Sequence, residues 1–318
     1  MRIFIFLFLS LAASVQAADF PVRIEHAYGE TVVRAAPQRV VSVGYHEQDF
    51  LYALGVAPVG VHEWFGGHAY ATWPWAELAR SKLAAMPEVQ RGFEIDLEWV
   101  LLQRPDLIVA TFAPLDERTY TMLSRIAPVV GPPADFPMWG APWEEELRLI
   151  AVATGKVSTA EKIITDLDQR ISAIAAQHPQ LQGLSGTIAH FAGGQIVGYR
   201  SEDGGNRLLH RLGVETPATF DQMAGPGGNF TVSPERIDLF DLDVVLWLTD
   251  EPARAKIESL PGYDALRITR EGRSIWADET LTGALSFQSP LSIEWALDQL
   301  VPALVAAADG NPNTGATE

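Results

Sequence analysis

The stretch Ser158–His178, STAEKIITDLDQRISAIAAQH, predicts the longest helix of the chain and decides the fold. Its apolar residues recur every three or four positions and form one stripe along the helix: Ala160, Ile163, Ile164, Leu167, Ile171, Ile174 and Ala175. Ser158 and Glu161 have the spacing of a capping box, and Pro179 cannot continue the helix. Twenty-one residues of α-helix are about 31 Å long, which is enough to cross a whole domain. The pattern therefore predicts a long helix that joins two halves of the chain.

Strand and helix patterns alternate on both sides of this helix, which is typical of an α/β protein with parallel strands. The segments DLEWVLLQRPDLIV (96–109) and SPERIDLFDLDVVL (233–246) share one pattern. In each, a capping residue is followed by a glutamate, a helical stripe, an aspartate and an apolar strand. We therefore predict two similar lobes with parallel-type sheets, bridged by a single long α-helix. The predicted divisions are 18–155 for the N-terminal lobe, 156–180 for the bridging helix, 181–308 for the C-terminal lobe and 309–318 for a flexible tail.

The first residues, MRIFIFLFLSLAASVQA (1–17), have the features of a cleaved secretory signal peptide. Their apolar core is too short to span a bilayer as a stable helix. The chain contains no cysteine, so it offers no lipid-attachment cysteine, no disulfide and no thiolate metal site. A net charge of −17 argues against a nucleic-acid partner. We expect a soluble, monomeric protein of the periplasm.

The sequence shows no constellation of catalytic residues. It lacks a G-x-S-x-G elbow, a P-loop and a G-x-G-x-x-G turn after a strand. His62, Glu63 and His68 resemble part of a zinc site, but the histidines are six residues apart and two glycines between them would break a helix. We therefore expect a binding protein and not an enzyme, with a zinc hydrolase as a weaker alternative.

A binding site is easier to place, because ligands of parallel α/β lobes bind beyond the carboxyl ends of the strands. The candidate residues are aromatic or histidine side chains at these ends and arginines of neighbouring loops: Tyr45, His46, Trp64, Phe112 and Phe191, with Arg91, Arg200 and Arg207. Aromatic faces with a few arginines suit a bulky, partly apolar ligand that carries anionic oxygens. Each arginine taken alone is equally well explained as a surface residue, and Trp247 as part of the core.

Five blocks of the sequence resemble the periplasmic iron–siderophore binding proteins of ABC importers. They run from about residue 37 to residue 307: PQRVVSVGYHEQDFLYALGVAPVGV, LEWVLLQRPDLIVAT, APWEEELRLIAVATGK, VSPERIDLFDLDVVLWL and ALSFQSPLSIEWALDQLVP. The resemblance implies a ferric siderophore as transported ligand in a cleft between the lobes, no resident cofactor, and limited closure on binding. It also implies that Glu98 and Glu235 dock the protein on a dimeric permease and that Arg91 contacts the siderophore.

Relatives of the same architecture bind other ligands, and these ligands are alternatives for this protein. Haem is one, because Tyr45 or His46 could serve as an axial iron ligand. Cobalamin is another. A bare zinc or manganese ion is a third, which requires His46, His62 and His190 to converge. A periplasmic interaction protein that has lost transport is the alternative from a different functional class, and the presence of both Glu98 and Glu235 argues against it.

Overall fold

The structure of the protein is a computed structural model that describes residues 20–224 and 228–314. The predicted signal peptide, most of the glycine cluster at 225–228 and the last residues of the tail lie outside this part of the chain. The described chain forms an antiparallel hairpin and two larger sheets, with helices packed on both faces of the sheets.

The first half of the chain builds a parallel sheet with the order β5-β4-β3-β6-β7. An antiparallel hairpin, β1–β2, precedes it. The strands are β1 (Val22–His26), β2 (Gly29–Val33), β3 (Val40–Ser42), β4 (Gly60–His62), β5 (Glu88–Gln90), β6 (Leu107–Val109) and β7 (Val129–Val130). The helices are α1 (Glu47–Ala53), α2 (Pro74–Lys82), α3 (Leu97–Leu102), α4 (Glu117–Leu123) and α5 (Trp143–Thr154). The sequence analysis did not predict the β1–β2 hairpin, α2 or β5.

The predicted long helix is confirmed as α6 (Val157–Gln177), with Ala160, Ile164, Leu167 and Ile171 buried. The predicted capping box is wrong, because the helix begins one residue before Ser158. Gly155 ends α5 in the left-handed conformation, with φ of 70°, and Lys156 occupies the N-cap position without a side-chain hydrogen bond. Ser158 therefore lies inside the first turn, where its hydroxyl cannot cap.

The second half builds a six-stranded sheet with the order β11-β9-β8-β12-β13 and β10 beside β8. The strands are β8 (Leu184–Ala192), β9 (Gln195–Tyr199), β10 (Val214–Glu215), β11 (Asn229–Val232), β12 (Val244–Trp247) and β13 (Ser274–Trp276). The helices are α7 (Gly204–Arg211), α8 (Ala218–Ala224), α9 (Glu251–Glu258), α10 (Arg267–Arg270), α11 (Glu279–Phe287) and α12 (Pro290–Ala308). Short 3₁₀ helices occupy Ala69–Ala71, Pro179–Leu181, Pro234–Phe240 and Tyr263–Ala265.

The second sheet is mixed, unlike the first. Strands β8, β10, β12 and β13 run parallel, whereas β9 is antiparallel to β8 and β11 is antiparallel to β9. The reversal occurs at Gly193-Gly194, where both residues have positive φ and Ala192 pairs with Gln195. Two glycines between alternating apolar residues are a hairpin signal. The two lobes therefore share a parallel centre but differ at one edge.

One apolar core lies between the two sheets and includes residues of both. It contains Val40 and Leu107 from the first sheet, Leu246 and Ile275 from the second, and the buried face of α6. The last helix, α12, packs against α1 and α2 as well as against β12 and β13, so the segment 181–308 reaches back onto the first half of the chain. Two smaller clusters cover the outer faces of the sheets.

Helix α12 is the one helix in the described residues that is long and apolar enough to cross a membrane. Half of its apolar window is buried inside the protein, and its packing against both halves accounts for its composition. After α12, Asp309 accepts hydrogen bonds from the amide of Asn311 and the hydroxyl of Thr314. The described part of the predicted flexible tail is therefore a closed turn.

The shared core predicts that the two halves unfold together. We expect a single cooperative thermal transition, and Ile164→Ala should lower the free energy of unfolding by about 2–4 kcal/mol, because it removes buried methyl groups from this core. Ser172→Ala, at an exposed position of the same helix, should change stability by less than about 0.5 kcal/mol. Calorimetry that resolved two transitions, with only one shifted by Ile164→Ala, would contradict the shared core.

Candidate ligand-binding site

A cavity of about 910 Å³ is lined by residues of both halves of the chain. Tyr45, Trp64 and Phe112 follow the carboxyl ends of β3, β4 and β6, and Leu248 follows β12. The loop 137–142 before α5 and α7 also contribute to its lining. The cavity lies where parallel strands of both sheets end, which is the common position of ligand sites in α/β proteins.

Four aromatic side chains form one side of the cavity, which we call the aromatic wall: Tyr45, Trp64, Phe112 and Trp139. The Tyr45 ring is stacked with Trp64 and with Trp139, at centroid distances of 5.6 and 5.7 Å. Phe112 meets Trp139 edge-on at 4.5 Å. The Tyr45 hydroxyl donates to the carbonyl of Phe93 at 3.0 Å, which fixes the ring. Trp139 is the most exposed ring of the wall, and Tyr45 is buried against its neighbours.

His46 lies buried behind the aromatic wall and joins three segments of the chain. Its Nε2 is 3.0 Å from Glu146 Oε2 on α5, and its Nδ1 is 2.5 Å from the carbonyl oxygen of Phe287 at the end of α11. Both partners offer oxygen acceptors, so the geometry suits an imidazole that donates from both ring nitrogens. Burial lowers the pKa of His46, but the Glu146 and Glu47 carboxylates and the Phe287 carbonyl outweigh it, and the pKa is raised.

Two further carboxylates support the loop that carries Tyr45 and His46. Glu47 accepts a hydrogen bond from the amide of Phe112 at 2.9 Å, and burial raises its pKa. Asp49 accepts from the indole of Trp75 at 2.6 Å and from the hydroxyl of Ser289 at 2.8 Å, and burial raises its pKa to about 6. These bonds connect α1 to the loop after β6, to α2 and to the residue that caps α12.

Position 44 must be glycine, because there is no room for a side chain beside the Glu47 carboxylate. A Cβ at this position would lie 1.9 Å from Oε1 of Glu47, the atom that receives the Phe112 amide. Any side chain here would displace the buried carboxylate and with it the turn that presents Tyr45 to the cavity.

The opposite side of the cavity carries charged residues from the second half of the chain. Arg207 donates to Glu202 at 3.0 Å and to the carbonyl of Gly140 at 2.9 Å. Arg211 pairs with Glu144 at 3.3 Å and with Asp168 at 2.5 Å. Arg200 makes no side-chain hydrogen bond or ion pair with the residues that the structure describes, and it lines the cavity.

Most of the residues predicted from the sequence line this cavity: Tyr45, His46, Trp64, Phe112, Arg200 and Arg207. The structure separates two others from them. Arg91 is paired with Glu63 at 2.8 Å, with its side chain 63% exposed, and does not line the cavity. Phe191 packs against the core on the outer face of the second sheet. Trp247, weighed above as a core residue, is fully buried.

The histidines considered for a bare metal ion do not converge. His62 directs both ring nitrogens at backbone carbonyls, those of Val43 and Gly92. His190 accepts from or donates to the hydroxyl of Tyr199 at 2.9 Å, and burial lowers its pKa. Within residues 20–224 and 228–314, no group of three or more histidine or carboxylate side chains is arranged to hold a metal ion.

Trp139 and Glu146 are site residues that the sequence analysis missed. Trp139 has a positive φ of 65° and lies in PMWGAPW (137–143), a loop rich in proline and glycine. An aromatic residue in such a loop is a signal for a binding loop, although nothing local indicates that it stacks on Tyr45. Glu146 belongs to an amphipathic helix, and only the fold brings it to His46.

Glu98 and Glu235 are both exposed and both near the start of a helix. Asp96 caps α3 by accepting from the amides of Glu98 and Trp99, at 2.9 and 3.1 Å. Ser233 caps the second helix more weakly, at 3.4 Å from the amide of Glu235. The second helix is a 3₁₀ helix with a kink at Arg236, so the predicted equivalence holds for the caps and not for the helix type.

The chain resembles proteins of known function over most of its length. A probable siderophore-binding lipoprotein of Bacillus subtilis is 26% identical over 239 residues, which cover 73% of this chain and 70% of the relative. The ferric-anguibactin-binding protein of Vibrio anguillarum is 25% identical over 258 residues, which cover 79% of this chain and 74% of the relative.

Solved structures share the fold. A periplasmic solute binding protein from Mycobacterium smegmatis aligns with a TM-score of 0.79 and 32% identity, over 90% of this chain and 98% of that one. The Streptococcus pneumoniae protein PiaA, in complex with ferrichrome, aligns with a TM-score of 0.77 and 21% identity, over 91% of this chain and 99% of that one. The sequence model of the periplasmic binding protein family matches residues 40–279 of this chain. The chain therefore belongs to the periplasmic binding protein family.

Proposed function

We propose that this protein captures a ferric siderophore in the cavity between its two sheets and delivers it to an ABC permease for iron uptake. The observation that carries the proposal is one cavity of about 910 Å³ lined both by an aromatic wall and by Arg200, whose side chain has no hydrogen-bond or ion-pair partner within residues 20–224 and 228–314. Such a cavity has the size of a site for a bulky organic ligand, and it combines apolar faces with a donor for chelate oxygens.

The relatives support this ligand class. The Bacillus subtilis and Vibrio anguillarum proteins are named for siderophore binding, and the Streptococcus pneumoniae structure contains ferrichrome. Members of the family are substrate-binding proteins of transport systems, and we infer that this chain likewise performs no catalysis. We place it outside the cytoplasm, as a soluble monomer of the periplasm.

The chemistry of the wall favours a chelate over haem. An axial ligand must offer a free lone pair or a phenolate to the iron. Both nitrogens of His46 already donate to acceptors, and the Tyr45 hydroxyl donates to a backbone carbonyl. A siderophore surrounds the iron with its own oxygens and needs no ligand from the protein.

Delivery requires a surface that a permease recognises. Glu98 and Glu235, one in each half of the chain, are exposed carboxylates at capped helix starts. We propose that they meet basic residues of a dimeric permease and fix the orientation of docking.

The proposed ligand should quench the intrinsic fluorescence of the protein. Trp64 and Trp139 line the cavity, so a ferric siderophore should quench saturably, whereas zinc or manganese salts should not. Trp139→Phe should remove part of the quenching, and Trp99→Phe, on the outer face of the first sheet, should leave it unchanged. A Soret band after addition of haem, with no response to any ferric siderophore, would replace the proposal by a haem carrier.

Arg200 and Arg91 should differ as ligand contacts. Arg200→Gln should weaken ligand binding about ten- to hundredfold, because it removes hydrogen bonds between a charged donor and the chelate oxygens. Arg91→Gln should change the dissociation constant by less than about twofold, because Glu63 holds this arginine outside the cavity. Titration of both variants by fluorescence checks the pair, and the reverse ranking would show that Arg91 turns into the cavity on binding.

Docking can be tested separately from binding. Glu98→Arg combined with Glu235→Arg should abolish ligand uptake in cells and leave the dissociation constant and the melting temperature nearly unchanged. The matched control reverses two other exposed glutamates in the first turn of a helix, Glu117 and Glu251. Normal uptake by the Glu98/Glu235 variant would make these two residues ordinary helix-start residues.

A further inference from the structure

The cavity carries an excess of negative charge. Its lining includes three arginines, six carboxylates and two histidines: Arg200, Arg207, Arg211, Glu144, Glu146, Glu202, Asp203, Glu215, Asp221, His46 and His210. The arginines and carboxylates have a summed formal charge of −3, and protonation of both histidines would reduce it to −1. Burial raises the pKa of Asp203 to about 6, so this carboxylate is still mainly ionised above neutral pH. The whole chain, at −17, adds to the same sign of potential.

Two of the three arginines are already neutralised by carboxylates. Arg207 is held by Glu202 and by a backbone carbonyl, and Arg211 is held between Glu144 and Asp168. An anionic ligand that recruited either arginine would compete with these carboxylates, and the least exposed of them is Glu144, at 21%. Of the three, only Arg200 has no side-chain partner within the described chain. It can donate hydrogen bonds to chelate oxygens, but its single positive charge cannot neutralise a ligand that carries several negative charges.

The aromatic wall, like the excess of carboxylates, favours a cationic ligand over an anionic one. Its ring faces carry the negative side of the aromatic quadrupole, which attracts a cation and offers no stabilisation to an anion. Trp139 is the most exposed ring of the wall, at 42%, and lines the same cavity as the carboxylates of the second half, whereas the Tyr45 ring is covered by Trp64 and Trp139. Both sides of the cavity therefore disfavour a ligand of high negative charge.

We infer that the site selects ferric chelates of zero or positive net charge, as hydroxamate chelates are, and discriminates against tris-catecholate chelates. This inference rests on the proposed function. Three hydroxamates neutralise Fe³⁺, and a free ammonium arm adds one positive charge. Three doubly ionised catecholates leave a net charge of −3 on the complex. The two chelate classes have a similar size, and charge separates them.

The test compares three probes with intact protein: ferrioxamine B, which carries a free ammonium group, ferrichrome, which is neutral, and a ferric tris-catecholate. Dissociation constants are measured by fluorescence at about pH 7.5, above the raised pKa of Asp203, at low and high NaCl. We expect the tris-catecholate to bind at least about tenfold more weakly than the better of the other two. Added salt should strengthen its binding, because salt screens repulsion.

A tris-catecholate that bound as tightly as the hydroxamate chelates, or whose binding weakened with added salt, would overturn the inference and leave the proposed function intact. Binding of none of the three, with no response to other ferric siderophores, would instead reject the proposed function on which the inference rests.

Single-charge variants test the electrostatic cause. Glu144→Gln lines the cavity and should improve tris-catecholate binding by about threefold or more, while weakening ferrioxamine B binding. Glu202→Gln, at a more exposed position, should act in the same direction and guards against a folding defect of the first variant. Glu145→Gln is the matched control, because its side chain pairs with Arg148 and does not line the cavity. An unchanged ratio of the two affinities in both cavity variants would overturn the inference.

Discussion

The apolar core between the two sheets is the constraint on which the rest of the structure depends. It joins the buried face of α6 to strands of both sheets and to α12, which packs against α1 and α2. A hinge needs a few chain positions that absorb large dihedral changes. A continuous 21-residue helix and a shared core offer few such positions, so we expect the cavity walls to hold nearly the same separation with and without ligand. A site that is largely formed before the ligand arrives has a lower ordering cost of binding.

The polar groups below the aromatic wall complete this preorganisation. His46 reaches across to α5 and to the end of α11, and Asp49 bridges to Ser289 at the start of α12. His46 and Asp49 are both buried, so removing one hydrogen-bond partner would leave a buried polar group without a hydrogen bond. Two unlike walls result: rigid aromatic faces from the first half and a paired, mostly acidic surface from the second. In the function proposed above, the first wall selects the ligand by shape and the second by charge.

The sequence indicated the α/β class, the long helix and the strand ends that line the cavity, because these follow from local periodicity and from the geometry of parallel sheets. Tyr45, Trp64 and Phe112 line one cavity for this reason. Arg91 shows what local sequence cannot predict. Its position before Asp96 does not reveal that its guanidinium forms an ion pair with Glu63. Trp139 and Glu146 depend on tertiary contacts that no local pattern contains. The Gly193-Gly194 turn was readable as a hairpin, and it makes the second sheet mixed.

A crystal structure of the protein with a ferric siderophore, with anomalous data collected at the iron edge, tests the central claim most directly. The account predicts one iron peak inside the cavity, between the aromatic wall and Arg200, with every iron ligand supplied by the chelate. An iron peak outside the cavity, or iron bound directly by Tyr45 or His46, would contradict it.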